Sequence, residues 1–554
     1  METPKSSFSK FRVLDILVIL AGFSAIFFLL TNGVPLVQAG WMGELGKKSR
    51  YVRLMIVSVA VFSILMFCIR WRWPEIFKCL FWARLWHAVC QIPLRYLTAF
   101  FFILYAVTMT AVGFERHLAL ETRAFDLGIF AQAVWNTLQG DWFFSSIKEN
   151  INLMGDHVSP ILILTVPFYA IWPDPRTLIL LQALAAASSL IPLALIARDK
   201  LEDRSLVLIF LLMFFFYSPM RAALHEDFHP EVLAEPFLWW AFFFLDKGRV
   251  ARFLLCLVVA ATGKENFLGI TFMLGLYAFF RKKNRPVGVA VAMISVTLFL
   301  WEIKWLVPHL SEAKYFYGGN YASMLSDPVN GIGKMIFDGE RWGYAFKVFL
   351  PFLYLPFFHL PTLALAAPVF FQNLLSANDS MRSFNYHYFT GMTPFLFIST
   401  LFAIDRLRGR FSWFAERLGL IGFILLVVSV IRSGPSEYWF YRNIHSNRSA
   451  HTEMIRKKLA GVPPEARVLT HNSLIPQVCN RKYVYQFNYN PSPTKLEFAE
   501  KYGADVVIWD ERLWEPGTAS STESLPVFLG AGYRVIFESD GFFIFNRMTS
   551  GGRG

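Results

Sequence analysis

Charged residues are scarce in this chain, since only 17% of its 554 residues are Asp, Glu, Lys or Arg while 55% are hydrophobic. A soluble domain of this length could not cover so much apolar surface with so few charges, which excludes a soluble globular protein. Apolar runs of roughly 15–22 residues recur along most of the chain, close to the ~20 needed to cross ~30 Å of hydrocarbon. We therefore predict a polytopic α-helical membrane protein.

Cysteine is also rare, and the five cysteines form no cluster with metal-ligand spacing. Cys479 is the one cysteine in the polar C-terminal part, so no internal disulfide is expected there. That part also lacks a G-x-G-x-x-G fingerprint and a P-loop. The first apolar run, which follows Met1–Arg12, has no small-residue cleavage site after it and predicts an uncleaved span.

The net charge of +13 comes from short basic connectors between apolar runs, so it does not indicate nucleic-acid binding. The positive-inside rule places these connectors and the N-terminus in the cytoplasm. The four most basic connectors are residues 198–204, 246–252, 281–285 and 405–410.

Spans consistent with this orientation number about thirteen, which puts the C-terminus outside. Residues 158–172 are short and carry Pro160 and Pro167, and we interpret them as re-entrant or interfacial because a crossing there would reverse one basic connector. The predicted spans lie near residues 13–31, 52–70, 96–113, 175–197, 205–219, 231–246, 250–262, 267–280, 287–306, 344–360, 361–375, 388–404 and 413–432.

Three domains follow from these boundaries. Residues 1–95 hold the N-terminal spans and a basic connector, and residues 96–432 form the main membrane domain. Residues 433–554 change character, because short apolar strands alternate with helical stretches there. This alternation predicts a small extracytoplasmic α/β domain, whose expected role is a lid or acceptor-binding module.

The unusual polar residues of the membrane domain fall in the outer connectors. Lys264 and Glu265 separate two spans of only about 13–14 residues, or ~20 Å of helix, so they should be recessed below the outer surface. Charges at that depth are costly unless they line a polar cavity. We therefore predict a water-accessible cavity that opens to the outside. A simple ion pair between Lys264 and Glu265 is the alternative.

Asp126 starts an amphipathic helix that ends near Gly140 and should lie on the outer surface. It is either the N-cap of this helix or a catalytic base, and the two roles are compatible because a capping aspartate stays ionised. Asp156 and His157 similarly form either a cap and turn or an acid-base or ligand pair.

Two further groups are candidates at the same surface. Arg382 and His387 accompany tyrosines that suit an aromatic belt, but these two side chains themselves do not. The stretch HEDFHPE, residues 225–231, contains H-E-x-x-H, in which two histidines on one helical face bind zinc beside a glutamate base. Pro230 pushes His229 out of helical geometry, so His225 and His229 should not share a face. A membrane zinc protease is therefore the least favoured function.

Five motifs together resemble one family, the DUF2079 family of predicted prokaryotic integral membrane proteins, which is similar to the GT-C group of membrane glycosyltransferases. The resemblance covers roughly Phe114 to Phe402. The motifs are FDLGIFAQAVWNTLQG, GDHVSPILILTVPFYAIWPDPRTLILLQALA, HEDFHPEVLAEP, KEN and NYHYFTGMTPFLF.

The GT-C likeness implies a GT-C-like fold in the prokaryotic cytoplasmic membrane. It also implies sugar transfer from a polyprenyl-phosphate donor to a glycan, lipid or protein acceptor on the outer face. An acidic residue in the first large outer loop serves as base in such enzymes, and Asp126 occupies that position. A non-enzymatic transporter or binding protein for a lipid-linked ligand is the alternative.

The other candidates take binding roles in this interpretation. No D-x-D or E-x-D motif follows Asp126 in its loop, so a divalent ion is a possible addition and no metal site is assigned. The candidates for contact with the donor or its phosphate are Lys264, Glu265, Arg382, His387 and His157, and those for a metal are Asp156, His225, Glu226 and His229.

Overall fold

The structure is a computed structural model, and it describes most of the chain after residue 87. The described residues are 88–311, 316–321, 326–327, 333, 338–431, 448–487, 499–512 and 528–548. The predicted spans 13–31 and 52–70 lie outside the described residues.

The membrane domain is almost entirely helical. Its α-helices are α1 (Leu94–Leu118), α2 (Ile129–Leu138), α3 (Val166–Ile171), α4 (Arg176–Ser188), α5 (Leu190–Leu201), α6 (Arg204–Phe215), α7 (Ser218–His225), α8 (Pro230–Asp246), α9 (Val250–Ala261), α10 (Phe267–Phe280), α11 (Arg285–Trp301), α12 (Val307–Ser311), α13 (Gly339–Phe349), α14 (Leu360–Leu363), α15 (Ala367–Leu375), α16 (Thr393–Arg410), α17 (Ser412–Ala415) and α18 (Leu418–Ile431).

Several consecutive helices continue into one another and form longer apolar helices. Among the described residues, six such helices are long and apolar enough to cross a membrane: Leu94–Leu118, Arg176–Leu201, Arg204–His225, Arg285–Ser311, Leu355–Leu375 and His387–Arg410. Shorter apolar helices include Val250–Ala261 and Phe267–Phe280, as the spacing around Lys264 predicted. A polytopic helical protein is confirmed, whereas the total of about thirteen crossings stays a prediction.

The segment that we interpreted as re-entrant forms a 3₁₀ turn at Pro160–Thr165 followed by α3. The two elements together are one short apolar helix, Pro160–Ile171. With a rise of ~2.0 Å per residue in the 3₁₀ turn and ~1.5 Å in α3, it is roughly 21 Å long, too short to cross ~30 Å of hydrocarbon. Its length is compatible with a segment that enters the membrane without crossing it.

The basic connectors contact one another. Lys247 Nζ lies 2.7 Å from Asp199 Oδ2, and Lys282 Nζ lies 2.8 Å from Asp246 Oδ1. Arg408 donates a hydrogen bond of 2.6 Å to the carbonyl of Leu201. The ends of α5, α8, α10 and α16 therefore meet at one end of the helical layer, as expected if all four connectors face the same side of the membrane.

The described C-terminal residues form a mixed five-stranded sheet with two helices, α19 (Ala450–Leu459) and α20 (Ile475–Val478). The strand order is β4-β3-β5-β7-β6, in which β3 runs parallel to β4 and β5 while the remaining pairs are antiparallel. The strands are β3 (Val468–Thr470), β4 (Val484–Gln486), β5 (Val506–Asp510), β6 (Tyr533–Ser539) and β7 (Phe542–Arg547), and β1 (Phe144–Ser145) and β2 (Ile151–Asn152) form a separate antiparallel pair.

Candidate active site

Asp126 lies in a tight turn rather than in a regular helical cap. Arg123 is extended, Ala124–Gly128 forms a π-helical turn, and α2 begins at Ile129. Neither element is capped by a side-chain hydrogen bond, so the predicted capping role of Asp126 is wrong. The side chain of Asp126 is instead 35% exposed and lines a cavity.

The C-terminal residues hold this turn in place. The backbone N–H of Ala124 donates to Asn472, at 2.9 Å to its carbonyl and 2.7 Å to its side-chain oxygen. Gly128 packs so closely against Ile475 that an added Cβ would lie 2.9 Å from that side chain. The sheet unit therefore lies directly behind the segment that carries Asp126.

The stretch HEDFHPE divides between two helices. α7 ends at His225, and His229 precedes α8 with an extended backbone, so the two histidines do not share a helical face, as predicted. Glu226 Oε2 accepts a 2.9 Å hydrogen bond from the backbone N–H of His387 and lies 3.1 Å from its Nδ1. The rings of His229 and His387 stack with centroids 3.7 Å apart.

A buried ion pair ties this stretch to the turn of Asp126. Arg116 Nη1 lies 3.0 Å from Asp227 Oδ1 and also donates to the carbonyl of His225. The second oxygen of Asp227 accepts a 2.8 Å hydrogen bond from the N–H of Arg123. Glu226 and Asp126 are thereby held on neighbouring backbone segments.

The lysine and glutamate of the KEN turn each have a different partner. Lys264 Nζ lies 2.7 Å from Glu231 Oε1, in the first turn of α8. Glu265 instead lies 2.8 Å from His157 Nδ1 and accepts the N–H of Val158 at 3.2 Å. The described ion pair of Lys264 is therefore with Glu231, whereas Glu265 pairs with His157.

Asp156 and His157 belong to the same surroundings. Lys148 Nζ lies 2.9 Å from Asp156 Oδ2, and the hydroxyl of Tyr317 lies 3.2 Å from Asp156 Oδ1. The ring of His157 stacks on that of Tyr317 with centroids 4.1 Å apart. Asp156 therefore accepts hydrogen bonds from a charged and a neutral donor.

These segments enclose a cavity of about 270 Å³. Side chains from six stretches of the chain line it, which is the convergence that the sequence predicted. The predicted site residues that line it are Asp126, Asp156, His157, Glu226, His229, Lys264, Glu265 and His387.

Two predicted residues lie elsewhere. The guanidinium of Arg382 bonds to the carbonyl of Ser376 and to Asp379, and Arg382 does not line the cavity. His225 is partly buried and does not line the cavity, and its carbonyl accepts a hydrogen bond from Arg116. The structure therefore gives neither residue a contact with a cavity ligand.

Most carboxyl groups in the cavity already have a partner. The pairs are Asp156–Lys148, Glu231–Lys264, Glu265–His157 and Glu226–His387. Asp126 differs, because within the described part of the chain its carboxylate accepts no hydrogen bond and lies 3.7 Å from His229 Nδ1. Asp126 is therefore open to a ligand.

The carboxyl groups of Asp126 and Glu226 have different pKa values because their surroundings differ. Loss of surrounding water raises the pKa of Asp126 to about 7, and the charges of Asp227 and Glu231 act in the same direction while Lys264 opposes it. Burial raises the pKa of Glu226 to about 9, with the charge of Asp126 as the next cause. Near pH 7, Glu226 is therefore protonated while Asp126 exchanges its proton readily.

A metal ion has one candidate position among the described residues. Asp126, His229 and His387 each offer a ligand atom, and these atoms lie within 4.8 Å of one another. A zinc ion binds imidazole at ~2.0–2.1 Å in the plane of the ring. The two histidine rings stack nearly parallel, 26° apart, so their nitrogen lone pairs do not converge on one point as placed.

Among the cavity residues that were not predicted, three make polar contacts with predicted ones. Glu231 is the last residue of the HEDFHPE stretch and faces Lys264, while Lys148 and Tyr317 come from the two outer loops. A recessed lysine needs a carboxylate at the same depth, and an acid in the first turn of the next span is the signal that could have identified Glu231.

Comparisons with known proteins place this membrane protein in a family. Residues 116–544 match the family model for DUF2079, described as a predicted membrane protein. The chain therefore belongs to the DUF2079 family, and the predicted membership is confirmed. The curated proteins gave no sequence match.

Two crystal structures of ArnT from Cupriavidus metallidurans are similar in shape. The one bound to undecaprenyl phosphate has 12% sequence identity and a TM-score of 0.48, and the match covers 81% of this chain and 98% of that chain. The apo state has 13% identity and a TM-score of 0.47 with the same coverage. Since both scores are below 0.5, we base the function on the residues of this chain.

Proposed function

We propose that this protein is a membrane glycosyltransferase that moves a sugar from a polyprenyl-phosphate donor to a hydroxyl-bearing acceptor at the outer face of a prokaryotic cytoplasmic membrane. The observation that carries the proposal is the carboxylate of Asp126, which lines the cavity and accepts no hydrogen bond from the described residues. A general base needs such an open position and a pKa near the working pH.

In the proposed reaction the acceptor hydroxyl gives its proton to Asp126 while its oxygen bonds to the anomeric carbon. The bond between that carbon and the phosphate oxygen breaks, and its electron pair leaves with the polyprenyl phosphate. The attack comes from the face opposite the leaving group, so the configuration at the anomeric carbon inverts. Asp126 then returns its proton to water.

Lys264 is the proposed contact for the departing phosphate. Burial alone would lower the pKa of this lysine, but the carboxylates of Glu231 and Glu265 raise it, so the ammonium stays charged. Its pairing with Glu231 fixes its position 2.7 Å from that carboxylate before substrate binds. A preorganised cation of this kind stabilises negative charge that develops on a leaving group.

The remaining cavity residues have supporting roles in this proposal. His157 is held by Glu265, and His387 is held by Glu226, so both rings have fixed orientations toward the cavity. Arg382, which we expected to contact the phosphate, is assigned no role because its guanidinium is occupied by Ser376 and Asp379.

A divalent ion at Asp126, His229 and His387 is the second candidate for the chemistry, since their ligand atoms lie within 4.8 Å of one another. An ion there would turn Asp126 from a free base into a ligand. The parallel stacking of the two rings favours the free base.

Turnover of the donor tests the proposal. Full-length protein in native membranes, which supply the acceptor, would receive polyprenyl phosphate carrying a radiolabelled sugar, and release of free polyprenyl phosphate would be measured. We expect Asp126→Asn to lower the rate by about 10²–10⁴-fold, the usual contribution of a general base. The matched control is Asp141→Asn, because Asp141 lies outside the cavity in a half-exposed ion pair with Lys482.

Three results would contradict the assignment. Equal rates for the wild type and Asp126→Asn would remove Asp126 as the base. Loss of turnover in EDTA, restored by one equivalent of a divalent ion, would make Asp126 a metal ligand. Saturable binding of the donor without any loss of its sugar would favour the transporter or binding-protein alternative.

A further inference from the structure

The cavity has a second face that the proposed mechanism does not use. Five side-chain amides line the cavity, and we call four of them the carboxamide wall. The wall consists of Asn266, Asn320, Gln372 and Asn378. They come from three separate stretches of the chain, so their proximity results from the fold.

Contacts among these stretches show that the wall is one surface. Asn266 Nδ2 lies 3.2 Å from Gln372 Oε1. The hydroxyl of Tyr321 donates to the carbonyl of Gln372 at 3.2 Å, and the N–H of Ala377 donates to the carbonyl of Asn320 at 2.9 Å. Residues 316–321 are thereby held against residues 372–378.

The carboxamide wall adjoins the charged side of the cavity. Asn266 lies two residues after Lys264 in the same turn, between α9 and α10. On the other side, Asn373 donates a 2.9 Å hydrogen bond to the carbonyl of Tyr388, the neighbour of His387. A ligand with its phosphate at Lys264 would therefore place the next few atoms against the wall.

One acceptor atom of the carboxamide wall has no hydrogen-bond donor. Asn266 Oδ1 is buried and has no partner among the described residues. A buried acceptor left unpaired is destabilising, so native structures seldom keep one without a ligand or water. Sugar hydroxyl groups can donate to such an oxygen and accept from amide N–H groups.

The wall also carries no net charge. The charged residues that follow it in sequence, Asp379 and Arg382, bond to each other and do not line the cavity. Of the two lysines that line the cavity, Lys264 contacts the phosphate in the proposed function and Lys148 lies 2.9 Å from Asp156. A charged group on the ligand would find no unpaired counter-ion at the wall, and burying it there would be costly.

From this geometry we infer that the carboxamide wall binds the part of the donor sugar remote from the anomeric carbon, and that this sugar is neutral and hydroxylated rather than an amino sugar or a uronic acid. The inference rests on the proposed function and specifies its substrate class.

Binding of four lipids to the purified full-length protein tests the inference. The probes are undecaprenyl phosphate and its conjugates with a neutral hexose, an amino sugar and a uronic acid. We expect the neutral conjugate to bind at least about tenfold more tightly than undecaprenyl phosphate, as one or two sugar hydrogen bonds would produce. Asn266→Ala should abolish most of that difference, because it removes the acceptor oxygen Oδ1 that the sugar hydroxyl would reach.

The matched control is Asn385→Ala, since Asn385 is exposed and does not line the cavity. It should leave all four affinities unchanged, and undecaprenyl phosphate should bind equally to both variants. Tighter binding of the amino-sugar or uronic-acid conjugate, or no preference for any sugar, would overturn the inference and leave the proposed function standing. Failure of all four lipids to bind would overturn both.

Discussion

At the scale of single residues, the pKa of Asp126 determines how donor turnover depends on pH. Because loss of water raises its pKa to about 7, the ionised base is half-populated near that pH and falls to roughly a tenth one unit lower. We therefore predict that donor turnover rises with pH through about 7 and levels off above it. The measurement is the single-turnover rate of full-length protein between pH 5 and 9.

A neighbouring charge supplies the control for this titration. Lys148 lowers the pKa of Asp126, so Lys148→Gln should move the midpoint of the rate profile to higher pH. A midpoint that stays in the ordinary range of an aspartate, near 4, would show that the titrating group is not Asp126 with the raised pKa that the cavity gives it.

The residues also show what the sequence could predict. The spacing of two short spans correctly placed Lys264 at a polar cavity, because the burial of a charge follows from span length. It could not identify Glu231 as the partner, since Glu265 was adjacent in sequence and only the approach of α8 decides between them. The predicted contact of Arg382 with the phosphate was missed for a related reason. A long side chain reaches whichever acceptor the local fold offers, and Arg382 bonds to the carbonyl of Ser376.

At the scale of elements, the contact between the C-terminal sheet unit and the turn of Asp126 carries a prediction. Asn472 accepts the N–H of Ala124, two residues before Asp126. Asn472→Ala should lower donor turnover by up to about tenfold, the worth of one hydrogen bond, because the turn is less firmly positioned. Asn472→Asp keeps an acceptor at the same place and should stay close to the wild-type rate.

The maximal rate and the affinity for undecaprenyl phosphate together distinguish a displaced Asp126 turn from a general loss of folding in Asn472→Ala. The maximal rate should fall in Asn472→Ala while the affinity for undecaprenyl phosphate is unchanged, since Lys264 is held by Glu231 independently of the sheet unit. Equal losses for the alanine and aspartate variants would mean that the contact does not act through its hydrogen bond. The docking site of the sheet unit on the Asp126 turn has no signature in the sequence.

At the scale of the whole molecule, the two ends of the helical layer differ in charge. The basic connectors contact one another at one end. The cavity lies at the other end of α8, because Glu231 is in its first turn and Asp246 is its last residue. Seventeen residues of helix separate these ends by ~25 Å, most of the thickness of the hydrocarbon.

Because the basic connectors and the cavity lie at opposite ends of α8, the structure predicts which residues face the outside of the cell. A membrane-impermeant maleimide added to intact cells should label Trp142→Cys, an exposed site in the loop that carries Asp126, in a background without the native cysteines. It should label Lys283→Cys, an exposed site in a basic connector, only after the membrane is permeabilised. The positive-inside rule requires this order, because lysine and arginine are retained on the cytoplasmic side. Labelling of both sites in intact cells, or the reverse order, would place the cavity where an outer-face sugar donor could not reach it.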